Sequence, residues 1–329
     1  MKLRLLATLA MLSLLTLAAC GSSASNAEGS GPWTYKDDLG TSISLDQAPK
    51  RLIVQSSVAA ALTDLGLGDK IVGTFGPLKN ADGEPDSQVA GLDIGKATDV
   101  TGGGEYGSID LEKAASLKPD LVVTSAYLES DLWYVNDATA KKLEQLAPIL
   151  VVSFDGKTLP EMLDSTERAA KALGADVDTD AVTKAHDDFT AAAGKVEQAG
   201  KDLGAKKIVV GSPAKDVFYV SNPEVSPDLK YWRDQLELPI TVPTKPDEGG
   251  YFQTLSWEKA DLYPADVMLY DDRVGKAGLA ILDDQPVFQT LQAAKDKAYI
   301  PWTSVAPPSY RAYADIMNRL ATELEKYAS

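Results

Sequence analysis

Two residue types are nearly missing from this 329-residue chain, which holds one cysteine, Cys20, and one histidine, His186. A single cysteine excludes an intramolecular disulfide. A single histidine excludes the usual ligand sets of bare transition-metal sites and removes the base on which histidine-dependent nucleophiles rely. His186 sits in a helical pattern beside Lys184, Asp187 and Asp188, the setting of a surface or partly packed side chain. Neither a Gly-x-Ser-x-Gly elbow nor a Walker-type phosphate loop is present. The run Gly102–Gly104 lacks the spacing and strand-helix setting of a dinucleotide fingerprint and reads as a mobile loop. Asp271-Asp272 and Asp283-Asp284 read as solvated or capping carboxylates. On these grounds the chain is not an enzyme. Positive charge is also scarce: 32 Lys and Arg against 48 Asp and Glu leave a formal charge of −16, which argues against nucleic acid or an anionic lipid surface as partner.

What is present begins with a targeting segment, residues 1–19. Lys2 and Arg4 supply its positive start and Leu5 to Leu17 an apolar stretch too short to span a bilayer comfortably. Its boundary, Leu17-Ala18-Ala19-Cys20-Gly21, resembles a bacterial lipobox, in which the cysteine is lipidated and becomes the mature N-terminus. Each buried methylene of such an anchor contributes about 0.8 kcal/mol. Residues 20–32 are rich in Ser, Gly and Ala with no apolar period and read as a flexible tether, which places the working site outside the cytoplasm. Removing the signal takes away Lys2 and Arg4 but no acid, so the formal charge moves from −16 to −18.

One short pattern occurs twice. Asp110-Leu111-Glu112-Lys113-Ala114 runs on to Asp120, and Ser256-Trp257-Glu258-Lys259-Ala260 runs on to Asp266. Each copy has a capping residue, a glutamate two positions on, a short helix, and an aspartate that opens an apolar run: Leu121-Val122-Val123 or Val267-Met268-Leu269. Lys206-Lys207-Ile208-Val209-Val210 likewise echoes Lys50-Arg51-Leu52-Ile53-Val54. A device that recurs once per half implies two similar lobes facing one another, with binding between them.

Apolar runs alternate with helical patterns throughout, the mark of α/β layers. Strands are expected at 51–55, 71–74, 121–124 and 149–153, with helices at 58–65, 111–117 and 138–146. After the start signal Thr158-Leu159-Pro160-Glu161, an apolar stripe predicts a helix to Leu173, stopped by Gly174; another follows at 181–203. The second half predicts strands at 206–212, 217–220 and 267–270 and helices at 229–236 and 309–327. Site positions follow from the rule that open α/β sheets bind ligands beyond the carboxyl ends of their strands. These are Ser56, Phe75, Tyr106, Tyr127, Trp133 and Tyr134 in the first half and Tyr231, Trp232, Arg233, Tyr251, Arg273 and Trp302 in the second.

In order and spacing, the lipobox, Arg51-Leu52-Ile53-Val54, Leu65-Gly66, Asp110-Leu111-Glu112 to Asp120-Leu121-Val122-Val123, the crossing helix and Glu258 resemble the periplasmic-binding-protein family that delivers ferric siderophores and cobalamin to ABC importers. The resemblance covers the mature chain. It implies two lobes, each a mainly parallel sheet flanked by helices, joined by a single long helix with the ligand cleft between them. The expected division is an N-terminal lobe at 33–157, the connecting helix and its successor at 158–204, and a C-terminal lobe at 205–329. It further implies that Glu112 and Glu258 dock on arginines of the permease. An acid in a first helical turn also favours the helix dipole by about 0.3 to 1 kcal/mol, and both roles can hold at once.

Aromatic side chains burying about 150 to 250 Å² each yield about 4 to 6 kcal/mol before ordering costs, so three or four reach the 8 to 12 kcal/mol of a micromolar-to-nanomolar complex, in order of magnitude. A polyanionic tri-catecholate chelate would want a cluster of cations, whereas Arg233 and Arg273, with Arg311 a weaker third, are what the sequence offers. The expectation is therefore a monomeric, lipid-anchored binding protein for a ferric siderophore, hydroxamate in type, that hands its cargo to an ABC permease and its ATPase. It has no cofactor of its own, and iron enters only within the chelate. A cobalamin or haem carrier, an anchored chelate-processing enzyme and an adhesion protein are the alternatives.

Overall fold

The computed structural model describes residues 31–80, 83–103 and 106–328. The expected signal, Cys20, most of the tether, and Gly104 and Glu105 of the glycine run lie outside the described residues. Among those described, no helix is long and apolar enough to cross a membrane.

The chain opens with an antiparallel hairpin that periodicity did not reveal, β1 (Trp33–Lys36) and β2 (Ser42–Leu45). It is strapped to the body by the Trp33 indole, which donates to the Ala172 carbonyl at 2.7 Å, and by Lys157 on Asp38 at 2.8 Å. Five parallel strands follow: β3 (Leu52–Gln55), β4 (Ile71–Phe75), β5 (Thr98–Asp99), β6 (Leu121–Ala126) and β7 (Ile149–Ser153), in the order β5-β4-β3-β6-β7. The near-continuous apolar runs of β3, β6 and β7 are buried on both faces, as a parallel sheet covered by helices requires. The covering helices are α1 (Ser56–Asp64), α2 (Leu111–Ser116) and α3 (Asp137–Leu143).

The chain leaves this sheet on α4 (Leu159–Ala172), whose Thr158 N–H donates to Glu161 at 2.8 Å in a capping box, with Pro160 in the first turn. The 23-residue α5 (Asp180–Asp202) follows and lies along the C-terminal helix α9 (Tyr310–Glu325). Helix α4 packs on β7 and α1 on one side and on α6 (Pro227–Asp234) on the other. One apolar core therefore runs from Leu52 and Val54 through Leu159, Met162 and Leu163 to Ile208, Val210 and Val267. Packed interiors resist deformation, so this continuity holds the two halves at a set spacing.

The second sheet has the order β10-β9-β8-β11-β12, built from β8 (Ile208–Pro213), β9 (Val217–Ser221), β10 (Phe252–Ser256), β11 (Val267–Asp271) and β12 (Tyr299–Trp302). Strands β8, β11 and β12 are parallel; β9 and β10 run antiparallel to their neighbours. Helices α7 (Gly275–Asp283) and α8 (Gln292–Lys295) link β11 to β12.

The duplicated sequence pattern has a duplicated structural job. Asp120 caps the entry to β3, accepting from the Lys50 and Arg51 N–H groups at 2.7 and 2.9 Å. Asp266 does the same at β8, accepting from the Lys207 N–H at 2.8 Å. Each aspartate thus clamps its own strand to its parallel neighbour, setting the registers Leu52↔Leu121 and Val267↔Ile208. The glutamates differ in their local frame: Glu112 lies in α2, whereas Glu258 lies in a single 3-10 turn, Trp257–Lys259.

Candidate ligand site between the sheets

Five of the site positions lie at or just past the carboxyl ends of strands: Ser56 follows β3, Phe75 ends β4, Tyr127 follows β6, Arg273 follows β11, and Trp302 ends β12. Trp133 is drawn back onto β6 because its N–H donates to the Ser125 carbonyl at 2.7 Å while the Thr124 hydroxyl donates to its own carbonyl at 2.9 Å. Tyr251 follows Gly250, which sits at φ +75°, and is held from β9: Asn222 donates its amide to the Gly250 carbonyl at 2.9 Å and its N–H to the Tyr251 carbonyl at 2.8 Å. Tyr127, Trp133, Tyr251, Arg273 and Trp302 converge on one cavity of about 370 Å³, two of them from the first sheet and three from the second. That volume lies in the range of small-molecule sites.

The first-sheet wall is an aromatic ladder. Tyr127 meets Trp133 at 5.0 Å between centroids and is backed by Phe154 at 5.0 Å, while Tyr106 meets Trp133 at 6.1 Å and Tyr134 at 4.7 Å. Tyr106, more than half exposed, accepts the Tyr134 N–H on its hydroxyl at 3.0 Å. Gly107 makes this clamp possible: its φ is +77°, and a Cβ there would lie 2.5 Å from the Asn136 nitrogen. On the other wall, Tyr219 and Phe252 meet at 4.6 Å because β9 and β10 pair antiparallel.

Burial raises the pKa of Tyr106, Tyr127, Tyr134 and Tyr251. Tyr127 is pushed far above its ordinary value by desolvation, and Tyr251 up to about 12 by desolvation with the nearby charges of Asp131, Tyr106 and Asp155 adding to it. Both are hydroxyl donors at neutral pH. The Arg273 guanidinium reaches far enough across the gap to oppose that rise at Tyr106, Tyr127 and Tyr134. Behind Trp302 lies Asp228, 4% exposed, which accepts the indole N–H at 2.7 Å and is pushed up to about 6 by desolvation. The indole is thereby fixed as a wall of the cavity.

Other positions are placed elsewhere. Ser56 is fully buried as the first residue of α1, hydrogen-bonded to Gln88 at 3.0 Å, and Phe75 is fully buried in the core beneath the first sheet. Tyr231 and Trp232 lie on the inward face of α6 within the main core. Arg233 is taken up by Glu224 at 2.8 Å and Asp234 at 2.6 Å and does not line the cavity. Arg311 pairs with Asp64 at 3.2 Å beside a separate cavity of about 310 Å³. His186 stacks on Tyr310 at 3.8 Å and bonds Glu167 at 2.8 Å. Glu112 and Glu258 are both exposed, and the Ser256 hydroxyl and a backbone N–H hold the Glu258 carboxyl below its usual range.

Asp271 is the capping carboxylate the sequence allows, accepting the Arg273 N–H at 3.1 Å, but its place at the cavity was missed. Far from being solvated, it is 7% exposed, lines the cavity and pairs with Arg273 through two contacts, at 2.9 and 2.6 Å. Sequence reasoning also missed the hydroxyls of Ser212, Ser221, Ser226 and Ser304 at the same cavity, for which serine carries no sequence signal. A larger cavity of about 570 Å³ lies between α9 and the edge strand β12, but its walls belong almost wholly to the second half, with Ser87 alone from the first. Among the described residues no cluster of three or more His, Cys, Asp or Glu side chains is placed to hold a metal ion.

Comparison with known proteins agrees with this geometry. A family model described as periplasmic binding protein matches residues 53–306. The Fe(3+)-citrate-binding protein YfmC of Bacillus subtilis (strain 168) is 25% identical over 305 residues, 90% of this chain and 87% of that protein. The iron(3+)-hydroxamate-binding protein FhuD of the same organism is 28% identical over 270 residues, 78% of this chain and 76% of that protein. The crystal structure of DesE, a ferric-siderophore receptor protein from Streptomyces coelicolor, shares 33% identity and superposes with a TM-score of 0.80 over 89% of this chain and 98% of that one. The chain belongs to the periplasmic binding protein family, the substrate-binding proteins of ABC importers.

Proposed function

We propose that this protein captures an iron(III)-siderophore, hydroxamate in type, in the cavity between its two sheets and presents it to an ABC permease. The observation that carries the reading is the composition of that cavity: six aromatic side chains, four serines and a single arginine already paired with a carboxylate. Rings supply apolar contact and phenol and hydroxyl groups supply donors to chelate oxygens, while nothing supplies the cation cluster a tri-catecholate would require. The named cargoes of YfmC, FhuD and DesE support the same class. The chelator provides the iron's ligands, and no residue here acts as a catalyst.

In this reading Cys20 carries the lipid anchor and residues 20–32 the tether, residues 33–157 and 205–329 form the lobes with 158–204 between them, and a monomer is the working unit. Glu112 and Glu258, exposed on the two lobes, engage permease arginines. Titration of intrinsic tryptophan fluorescence with ferric hydroxamates, ferric catecholates, haem and cobalamin tests the assignment. Saturable quenching by the hydroxamate with no chemical change in it is the expected result. Preferential binding of haem or cobalamin would reassign the cargo, and product formation would make the protein an enzyme.

A further inference from the structure

This inference rests on the cargo reading above and concerns which chelates of a common skeleton the cavity accepts. Arg273 is the only cation among the described residues lining it. Its charge is matched by a carboxylate on one edge: Nε donates to Asp271 Oδ1 at 2.9 Å and Nη2 to Oδ2 at 2.6 Å. Asp271 in turn cannot swing aside, because the Arg273 backbone N–H at 3.1 Å and the Ser304 hydroxyl at 2.9 Å hold Oδ1 as well. More acid surrounds the pair. Asp131 and Asp155 act on Tyr251 from the first half, Asp228 stands behind Trp302, and Asp272 adjoins Asp271. An anionic group entering the cavity thus meets a guanidinium already paired with a carboxylate and further acid around it, whereas a cation meets attraction sharpened by partial desolvation.

We propose that Asp271 is a charge-selectivity residue: by keeping Arg273 occupied, it makes the cavity admit ferric chelates of zero or positive net charge, above all those bearing a protonated primary amine, and turn away anionic chelates of the same size. Asp271 does not ligate the iron. Its carboxylate sets the potential in which the cargo's periphery is read. Selectivity of this kind comes from a built-in repulsive element as much as from attraction.

Three ferric trihydroxamates on one skeleton serve as probes, the terminal amine left free, acetylated or succinylated, giving cationic, neutral and anionic chelates. Equilibrium titration near neutral pH should rank them cationic, neutral, anionic, with at least about a tenfold span that shrinks at high salt. Asp271→Asn, which frees the guanidinium while keeping the side-chain shape, should level or invert that order. Asp131→Asn, which leaves the Arg273 pair intact, should narrow the span without inverting it. Equal affinities of the three probes for the unaltered protein, or the same ranking in folded Asp271→Asn, would overturn the proposal. Should Asp271→Asn fail to fold, the ranking and its salt dependence in the unaltered protein decide. Binding of none of the three would bring down the cargo reading, and the selectivity role with it.

Discussion

Replacing Asp228 with asparagine should stabilise the protein at high pH and destabilise it by about 1 kcal/mol at low pH. The carboxyl is buried behind Trp302 and pushed up to about 6 from 3.8 by desolvation, which outweighs the indole and backbone donors that favour its charged form. A carboxylate whose folded-state pKa lies above its unfolded value opposes folding once it ionises. Below pH 3.8 both states are neutral and nothing is lost. Between there and about 6 the unfolded chain ionises first and stability falls; above that the whole difference, about two pKa units or about 3 kcal/mol, is in force. Asparagine keeps an acceptor for the Trp302 N–H at 2.7 Å and loses the bond from the Leu229 N–H at 2.9 Å, a loss of about 1 kcal/mol. The net gain at alkaline pH is about 2 kcal/mol, several degrees in Tm for a chain of this size. Thermal unfolding of both proteins across the pH range reads this directly. An asparagine variant destabilised equally at both ends of the range would refute the reasoning, because it would mean that the carboxylate's charge is fully compensated in the fold.

Other substitutions separate the site from the frame. Alanine at both Glu112 and Glu258 should abolish import by reconstituted permease while changing chelate affinity less than twofold; a loss of affinity would place these side chains in the cleft. Tyr127→Ala or Trp133→Ala should weaken chelate binding to the folded protein by about 1 to 3 kcal/mol, roughly five- to 150-fold, in equilibrium titration. Phe75→Ala should do the reverse, lowering stability by about 3 to 5 kcal/mol in denaturant unfolding and leaving the affinity of the folded protein intact; reduced affinity with full stability would return Phe75 to the cleft. Gly107→Ala should weaken binding by releasing Tyr106 from Tyr134, seen as faster chelate dissociation, and an unchanged off-rate would show that this clamp is idle.

The layers were legible where physics acts locally. Leu121-Val122-Val123 and Ile149 to Ser153 are apolar runs that only a covered parallel sheet can use, and Thr158-Leu159-Pro160-Glu161 is a helix start by capping chemistry alone. The paired aspartates Asp120 and Asp266 were visible as a repeat, although their role as strand clamps needed the register of the neighbouring strands. The site was legible in part, because a strand's end names a neighbourhood and not a direction. Tyr127, Arg273 and Trp302 face the gap, whereas Phe75, equally at a strand end, points into a core that only the assembled sheet defines. Tyr231 and Trp232 occupy an eight-residue helix too short for its period to tell which face is covered. Asp271 read as a solvated or capping carboxylate beside Asp272; the cap is there, whereas its burial depends on Arg273 folding back and on Ser304 arriving from another strand's loop. Phe252 was overlooked because β10 turns Gln253 and Leu255 inward and leaves Phe252 exposed, against the order its hydropathy suggests.

The central claim is that an intact ferric chelate sits between the two sheets, held by side chains from both and ligated by none. Anomalous diffraction at the iron absorption edge, from crystals of the protein with a ferric trihydroxamate, tests it most directly. The account predicts one iron peak within the cavity walled by Tyr127, Trp133, Tyr251 and Trp302, with chelator oxygens alone around the metal. An iron peak in the chamber beside α9, or one ligated by protein carboxylates, would contradict it.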